Sequence, residues 1–128
     1  MYCCFRYMDI NKDLIAASST PIVLSILSRQ ESYGYAILKR VQEVSQQQVT
    51  WTDGMLYPVL HRLERLGLIE AKWKAADTGR QRKYYRITAR GRKQLDDELR
   101  QWQTIDATLR GVGTLRSSRQ NFALQVTS

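Results

Sequence analysis

Two clusters of residues in this chain have the types and spacing to do chemistry. The first is Thr52, Asp53, Tyr57, His61 and Arg62. Tyr57, His61 and Arg62, with Arg65, are left outward on a stretch whose Leu56, Leu60 and Leu63 recur at three and four residues. The second is Thr78, Gly79, Arg80, Arg82 and Lys83, inside a stretch from Lys72 to Lys93 that also carries Lys74, Arg86, Arg90 and Arg92 against Asp77 as its one acid. Hydroxyls, an imidazole, guanidiniums and ammoniums in this arrangement supply hydrogen bonds and positive charge to a polyanion. Tyr57 has a second reading, half-buried against its own domain. Catalysis is not expected: His61, the sole histidine, lies among arginines with no cysteine or serine nucleophile near it in sequence. No cofactor is expected, and no pair of residues has the spacing of metal ligands.

Charge and length agree with that chemistry. A net charge of +8 and a pI near 9.8 favour nucleic acid or an acidic membrane surface as partner. The 128 residues suit one small domain, for which oligomerisation would add stability. Cys3 and Cys4 are adjacent, which fits neither a redox pair nor a zinc site and reads as free thiols in a reducing compartment. No apolar run is long enough to span a bilayer, and the start of the chain is too polar for a signal peptide, so a cytoplasmic location without a membrane partner is expected.

The first cluster needs a helix from about Asp53 to Leu66. Thr52 can cap its start through its hydroxyl, and Gly67 suits a left-handed exit. Pro58 breaks the pattern inside it, a departure of the kind that marks a working site. Two helices precede it. One runs from about Asp9 to Arg29, kinked or divided at Pro21; the other runs from Tyr33 to Gln46, capped by Ser32, with Ile37, Leu38, Val41 and Val44 inward. The second cluster needs a β-hairpin. Ile69, Ala71 and Trp73 alternate with Glu70, Lys72 and Lys74, a long basic loop follows, and Tyr85 and Ile87 return, with one of Tyr84 and Tyr85 in the core. Leu60, Leu63, Leu66, Leu68 and Ile69 are expected to pin helix to hairpin. Thr88 then caps a last helix, where Leu95, Leu99, Trp102, Ile105 and Leu109 form a stripe with nothing left in the chain to cover it. A second copy of the chain would cover it, making these five the dimer interface.

The fold class is therefore mainly α with a small β-hairpin: a winged helix-turn-helix domain plus a C-terminal dimerisation helix. Its expected divisions are a flexible extension at 1–8, the DNA-binding domain at 9–87, the dimerisation helix at 88–111 and a flexible tail at 112–128.

In four places the chain resembles the PadR-like winged-helix transcription regulators: YGYAILKRV from Tyr33, MLYPVLHRLERLGLIE from Met55, GRQRKYYRIT from Gly79 with ARG from Ala89, and Trp102 in the last helix. The resemblance spans about Thr20 to Leu109. It implies a dimeric repressor bound to inverted-repeat operators in double-stranded DNA and released by small, often aromatic molecules. The single helix after the wing is similar to the short subgroup, which includes multidrug-responsive members that use a tryptophan at the position of Trp102 in a pore between subunits. Glu98, Trp102 and Asp106, spaced by four and four, would then place an indole between two carboxylates, suited to a flat cationic or hydrogen-bonding aromatic effector. Glu98 departs from an open pore, being bulky and charged. The other reading makes Trp102 a core residue of the dimer, pairs Asp106 with Arg110 and leaves Glu98 solvated. The alternative function is a winged-helix protein-protein interaction module without ligand response, for which the basic wing would be unnecessary.

Overall fold

A computed structural model describes residues 10–127, and beyond Gly113 only the helical path of the backbone. The expected extension at 1–8, with Cys3 and Cys4, lies outside the described residues. The elements run α1 (Lys12–Arg29), β1 (Ser32–Tyr33), α2 (Gly34–Val44), α3 (Asp53–Arg65), β2 (Ile69–Ala75), β3 (Gln81–Ile87) and α4 (Ala89–Thr127). The chain divides into two units, one up to Leu95 and one from Asp96 onward.

The first unit is three helices on a three-stranded antiparallel sheet of order β1-β3-β2. Asn11 caps α1, its side-chain oxygen accepting from the Asp13 N–H at 2.7 Å. Pro21 is buried within α1 and does not divide it. Val23, Leu24 and Leu27 of α1, Ile37 and Val41 of α2, Leu56, Leu60 and Leu63 of α3, and Tyr85 and Ile87 of β3 build one core. Trp51 is also buried, and its indole N–H has no hydrogen-bond partner among the described residues. At the end of α3, Gly67 takes φ +78°, the Leu68 N–H donates to the Leu63 carbonyl at 2.9 Å and the Gly67 N–H donates to the Glu64 carbonyl at 3.0 Å. This pair of bonds satisfies the last carbonyls of α3 and turns the chain into β2.

Thr88 joins the last helix to that turn. Its hydroxyl accepts from the Gly91 N–H at 3.0 Å and donates to the Gly67 carbonyl at 2.8 Å, while its own N–H donates to the Leu68 carbonyl at 3.0 Å. Gly91 is buried against the Leu68 carbonyl, and a Cβ there would overlap that oxygen. Glycine is thus required at this position by close backbone approach.

Several expectations need correction. Ser32 does not cap α2; it lies buried in β1, opposite Tyr85. The Thr52 hydroxyl makes no capping bond, although the Thr52 carbonyl begins the helix by accepting from Met55 and Leu56. The loop between the hairpin strands is a short turn from Ala76 to Arg80, with Gly79 at φ +88°, so Arg82 and Lys83 belong to β3. Val44 and Leu66 are exposed, because each lies at a helix end past the edge of the core, and Trp73 is 63% exposed. Leu95 is buried in the core of the first unit and is not free to meet a partner. The last helix does not stop at Gly111; its backbone continues helically to Thr127. In the second unit Leu99, Ile105, Leu109 and Val112 are exposed.

Candidate nucleic-acid interface

The buried residues of α3 fix which side of it faces out. Leu56, Leu60 and Leu63 were legible as an inward row, but Val59 is buried with them and rotates the core side of the helix. At 100° per residue, the side opposite all four centres on Gly54, Pro58, His61 and Arg65. All of these are exposed. Of the sequence candidates, His61 sits at the middle of that face, while Thr52 and Asp53 are exposed at the start of the helix, to one side of it. Tyr57 and Arg62 sit on its two flanks. Arg62 is tied to α1, its guanidinium donating to the Thr20 hydroxyl at 2.7 Å, so Arg65 is the less encumbered donor on this helix. Arg65 stood among the outward residues but not among the candidates, and counting Val59 as core would have selected it.

Tyr57 is 38% exposed and leans over the first residue of α2, where a Cβ on Gly34 would overlap the phenol. Both readings of Tyr57 therefore hold in part: its ring packs on its own domain, and its edge lines a concave space of about 400 Å³ between α3 and the wing, with Tyr35, Trp73, Arg80 and Lys83. Tyr35 and Trp73 were not anticipated there. Period-2 burial assigned Trp73 inward, but its face of β2 opens there onto this concave space, which leaves it exposed.

The wing cations differ in how they are held. Arg82 lies with its guanidinium 4.3 Å from the centroid of the Tyr33 ring. Tyr33 meets Tyr84 edge to face at 5.4 Å, and the Lys74 ammonium lies 4.7 Å from the Tyr84 centroid while pairing with Glu31. The hydrogen bond from Lys74, followed by the surrounding positive charge, holds the Glu31 carboxyl below its ordinary range. Arg86 pairs with Glu70 across the strands at 3.0 Å. On the opposite face of β3, Lys83 approaches Glu64 of α3 at 3.9 Å. Burial pushes the nearby Tyr85 phenol up to about 12, with Glu64 and then Tyr57 adding to the rise. Arg80, with Thr78 and Gly79, is exposed at the tip and has no ion-pair partner among the described residues.

This arrangement offers an exposed helix face beside a cation-bearing hairpin, with no histidine, cysteine or carboxylate group able to hold a metal ion among the described residues. A sequence model of the PadR-like transcriptional regulator family matches residues 23–97, which span α2, α3, the wing and the start of α4. The chain belongs to the PadR-like family of transcriptional regulators. It is similar to a transcriptional regulator of Clostridium thermocellum, 29% identical with a TM-score of 0.73, where 80% of this chain covers 97% of that one. A PadR-like regulator of Bacillus cereus is 30% identical with a TM-score of 0.70, over 79% of this chain and 96% of that one. Among curated proteins, the transcriptional regulator YqjI of Escherichia coli is 27% identical over 100 residues, which is 78% of this chain but 46% of YqjI, so this chain spans under half the length of that relative. PadR-like proteins are transcriptional regulators that bind DNA, and the chain is not an enzyme.

On α4, Asp106 accepts from the Arg110 guanidinium at 2.7 Å, which raises the pKa of Arg110. Trp102 is half-buried, as is Glu98. No described helix is long and apolar enough to cross a membrane.

Proposed function

We propose that this PadR-like regulator is a cytoplasmic, dimeric repressor that recognises a palindromic operator through α3 and is released by a small aromatic molecule. The observation that carries the reading is the exposed face of α3 flanked by the wing. His61 and Arg65, with Thr52, Asp53, Tyr57 and Arg62 at its borders, face the major groove, and Thr78, Gly79, Arg80, Arg82 and Lys83 meet the sugar-phosphate backbone. Arg82, stacked on Tyr33, is held ready for such a contact. The dimer rests on the exposed apolar row of α4, in which Ile105 is 54% and Leu109 67% accessible, too much apolar surface for an isolated helix. The effector rests on Trp102 between Glu98 and Asp106, a setting narrowed by the engagement of Asp106 with Arg110.

The test is selection of bound duplexes from a random pool by the purified chain, followed by footprinting. Two half-sites about one helical turn, or about 10 base pairs, apart are expected. Protection of a single asymmetric site, or a monomer at micromolar concentration in the ultracentrifuge, would sink the dimeric reading. Titration with planar aromatic cations and phenolic acids, followed by tryptophan fluorescence, tests the effector. Quenching that survives in Trp102→Ala places any ligand elsewhere, since Trp51 and Trp73 also emit.

A further inference from the structure

The ion pairs of the sheet serve different ends. Lys74–Glu31 and Arg86–Glu70 join neighbouring parts of the sheet and its approach. Among the described residues, Lys83–Glu64 is the ion pair that connects the wing to α3. It is long at 3.9 Å and a third or more exposed on both sides, so solvent ions and polyanions reach it. Lys83 also lines the concave space shared by Tyr57, Trp73 and Arg80, opposite Trp73 in the strand register. A backbone phosphate entering between wing and helix therefore meets an ammonium that already holds an anion of this same chain.

We propose that Glu64 is an internal competitor for the DNA phosphate at Lys83, and that it sets the strength of sequence-independent binding. This rests on the DNA-binding reading above. The physical basis is counterion exchange. A free lysine that meets a phosphate releases salt ions, and each such contact steepens the dependence of log K on log salt by about 0.9. Lys83 instead exchanges Glu64 for the phosphate. The cation condensed on the phosphate still leaves, so the contact keeps its share of the salt slope, but the cost of breaking the Glu64 pair is subtracted from the affinity it adds. Sequence-independent binding is almost wholly electrostatic, so a competitor of this kind acts directly on it. Glu64 lies one turn beyond His61 on α3, which places the competitor beside the face that reads bases.

Four full-length proteins decide the matter: the parent chain, Glu64→Gln, Lys83→Gln and the double variant, each first shown to melt as one cooperative unit. Their binding to a random-sequence duplex of about 30 base pairs is followed by fluorescence anisotropy from about 50 to 300 mM KCl. Glu64→Gln is expected to tighten binding several-fold at the lowest salt with the slope unchanged, since the number of neutralised phosphates stays the same. In the Lys83→Gln background, whose slope is shallower by about 0.9, the same change should leave the affinity where it was. A Glu64→Gln gain that persists without Lys83 would be general charge repulsion and would overturn the proposal, as would an unchanged affinity in the single variant. Should no protein bind the duplex, the DNA reading itself fails; the exchange is then read by titrating the four with sodium tripolyphosphate, where the same Lys83-dependent gain is required and its absence refutes the exchange.

Discussion

Replacing Gly91 by alanine tests the junction on which α3, the wing and α4 converge. The new methyl group would overlap the Leu68 carbonyl oxygen and approach Ile87 Cγ1 at 2.8 Å and the Leu68 carbonyl carbon at 3.0 Å. Two of those atoms belong to backbone, which cannot rotate away as a flexible side chain does. Relief requires the first turn of α4 to withdraw, stretching the 3.0 Å bond from Thr88 to the Leu68 carbonyl and the 2.8 Å bond from the Thr88 hydroxyl to the Gly67 carbonyl. Two weakened hydrogen bonds at about 0.5 to 1.5 kcal/mol each, together with about 1 to 3 kcal/mol of overpacking, outweigh the gain of about 1 kcal/mol that alanine brings to a helix. The net loss is about 3 kcal/mol, a large share of the about 5 to 15 kcal/mol that holds a small domain together. For a unit of this size that lowers the melting temperature by about 12 to 24 °C. Calorimetry of Gly91→Ala beside Gly111→Ala provides the comparison, because a methyl group added at Gly111, in the same helix, would meet nothing within 4 Å beyond the helix's own backbone. If Gly91→Ala melts with the parent protein, the close approach at Leu68 does not constrain the fold and the argument is wrong.

Arg65→Ala should weaken binding to a selected operator by about 1 to 3 kcal/mol and relax its sequence preference, whereas Arg62→Ala, which loses the bond to Thr20, should chiefly lower the melting temperature; footprinting and melting of both variants would expose a reversal. Because the folded pKa of Tyr85 is raised to about 12 while the unfolded phenol ionises near 10, its contribution is intact below pH 10 and is lost as pH rises toward 12. Urea unfolding of Tyr85→Phe at pH 9 and 11 should show a flatter alkaline loss than the parent, and parallel profiles would remove Tyr85 from the account. The turn after α2 places Gln46 at φ 55° and Gln47 at φ 70°, so Gln47→Gly should raise stability by about 0.5 to 1 kcal/mol, read as a higher urea midpoint.

The helices were legible because their buried residues recur at helical spacing and their ends carry local signals. Leu56, Leu60 and Leu63 locate α3, and Gly67 and Thr88 do at its exit and at the start of α4 what their residue types suggest. Strand β1 was not legible, since two residues carry no period and Ser32–Tyr33 are extended only because β3 offers them a ladder. The same absence of tertiary information misplaced Leu95: the stripe on α4 is continuous in sequence, but its first member is consumed by the core of the first unit. Helix α4 was cut short at Gly111 because two nearby glycines lower helix propensity without forbidding the helix. In the candidate site, residue type identified the cations but not their partners. Arg62, Lys83 and Lys74 are bonded to Thr20, Glu64 and Glu31, residues distant in sequence or on another element, and no local pattern announces such pairs.

Those partners alter what a net charge of +8 means for this regulator. Summed charge draws a polyanion from a distance, where each cation counts alike whether or not an acid lies beside it on the surface. At contact, the cations separate by how they are held. Arg80 is a free arm whose ordering must be offset by the bond it gains, and Lys83 must release Glu64. Arg82 is already fixed against Tyr33 with its guanidinium edge still able to donate, so it gains a phosphate with little further ordering. Tyr33 is itself held by pairing with Tyr84 and leads directly into α2, which connects the position of Arg82 to the helix-turn-helix rather than to the wing alone. The wing thus combines one prearranged cation, one contested cation and one exposed cation without an ion pair among the described residues, all within four residues of chain. Affinity for duplex DNA should follow that order of commitment more closely than the number of positive charges.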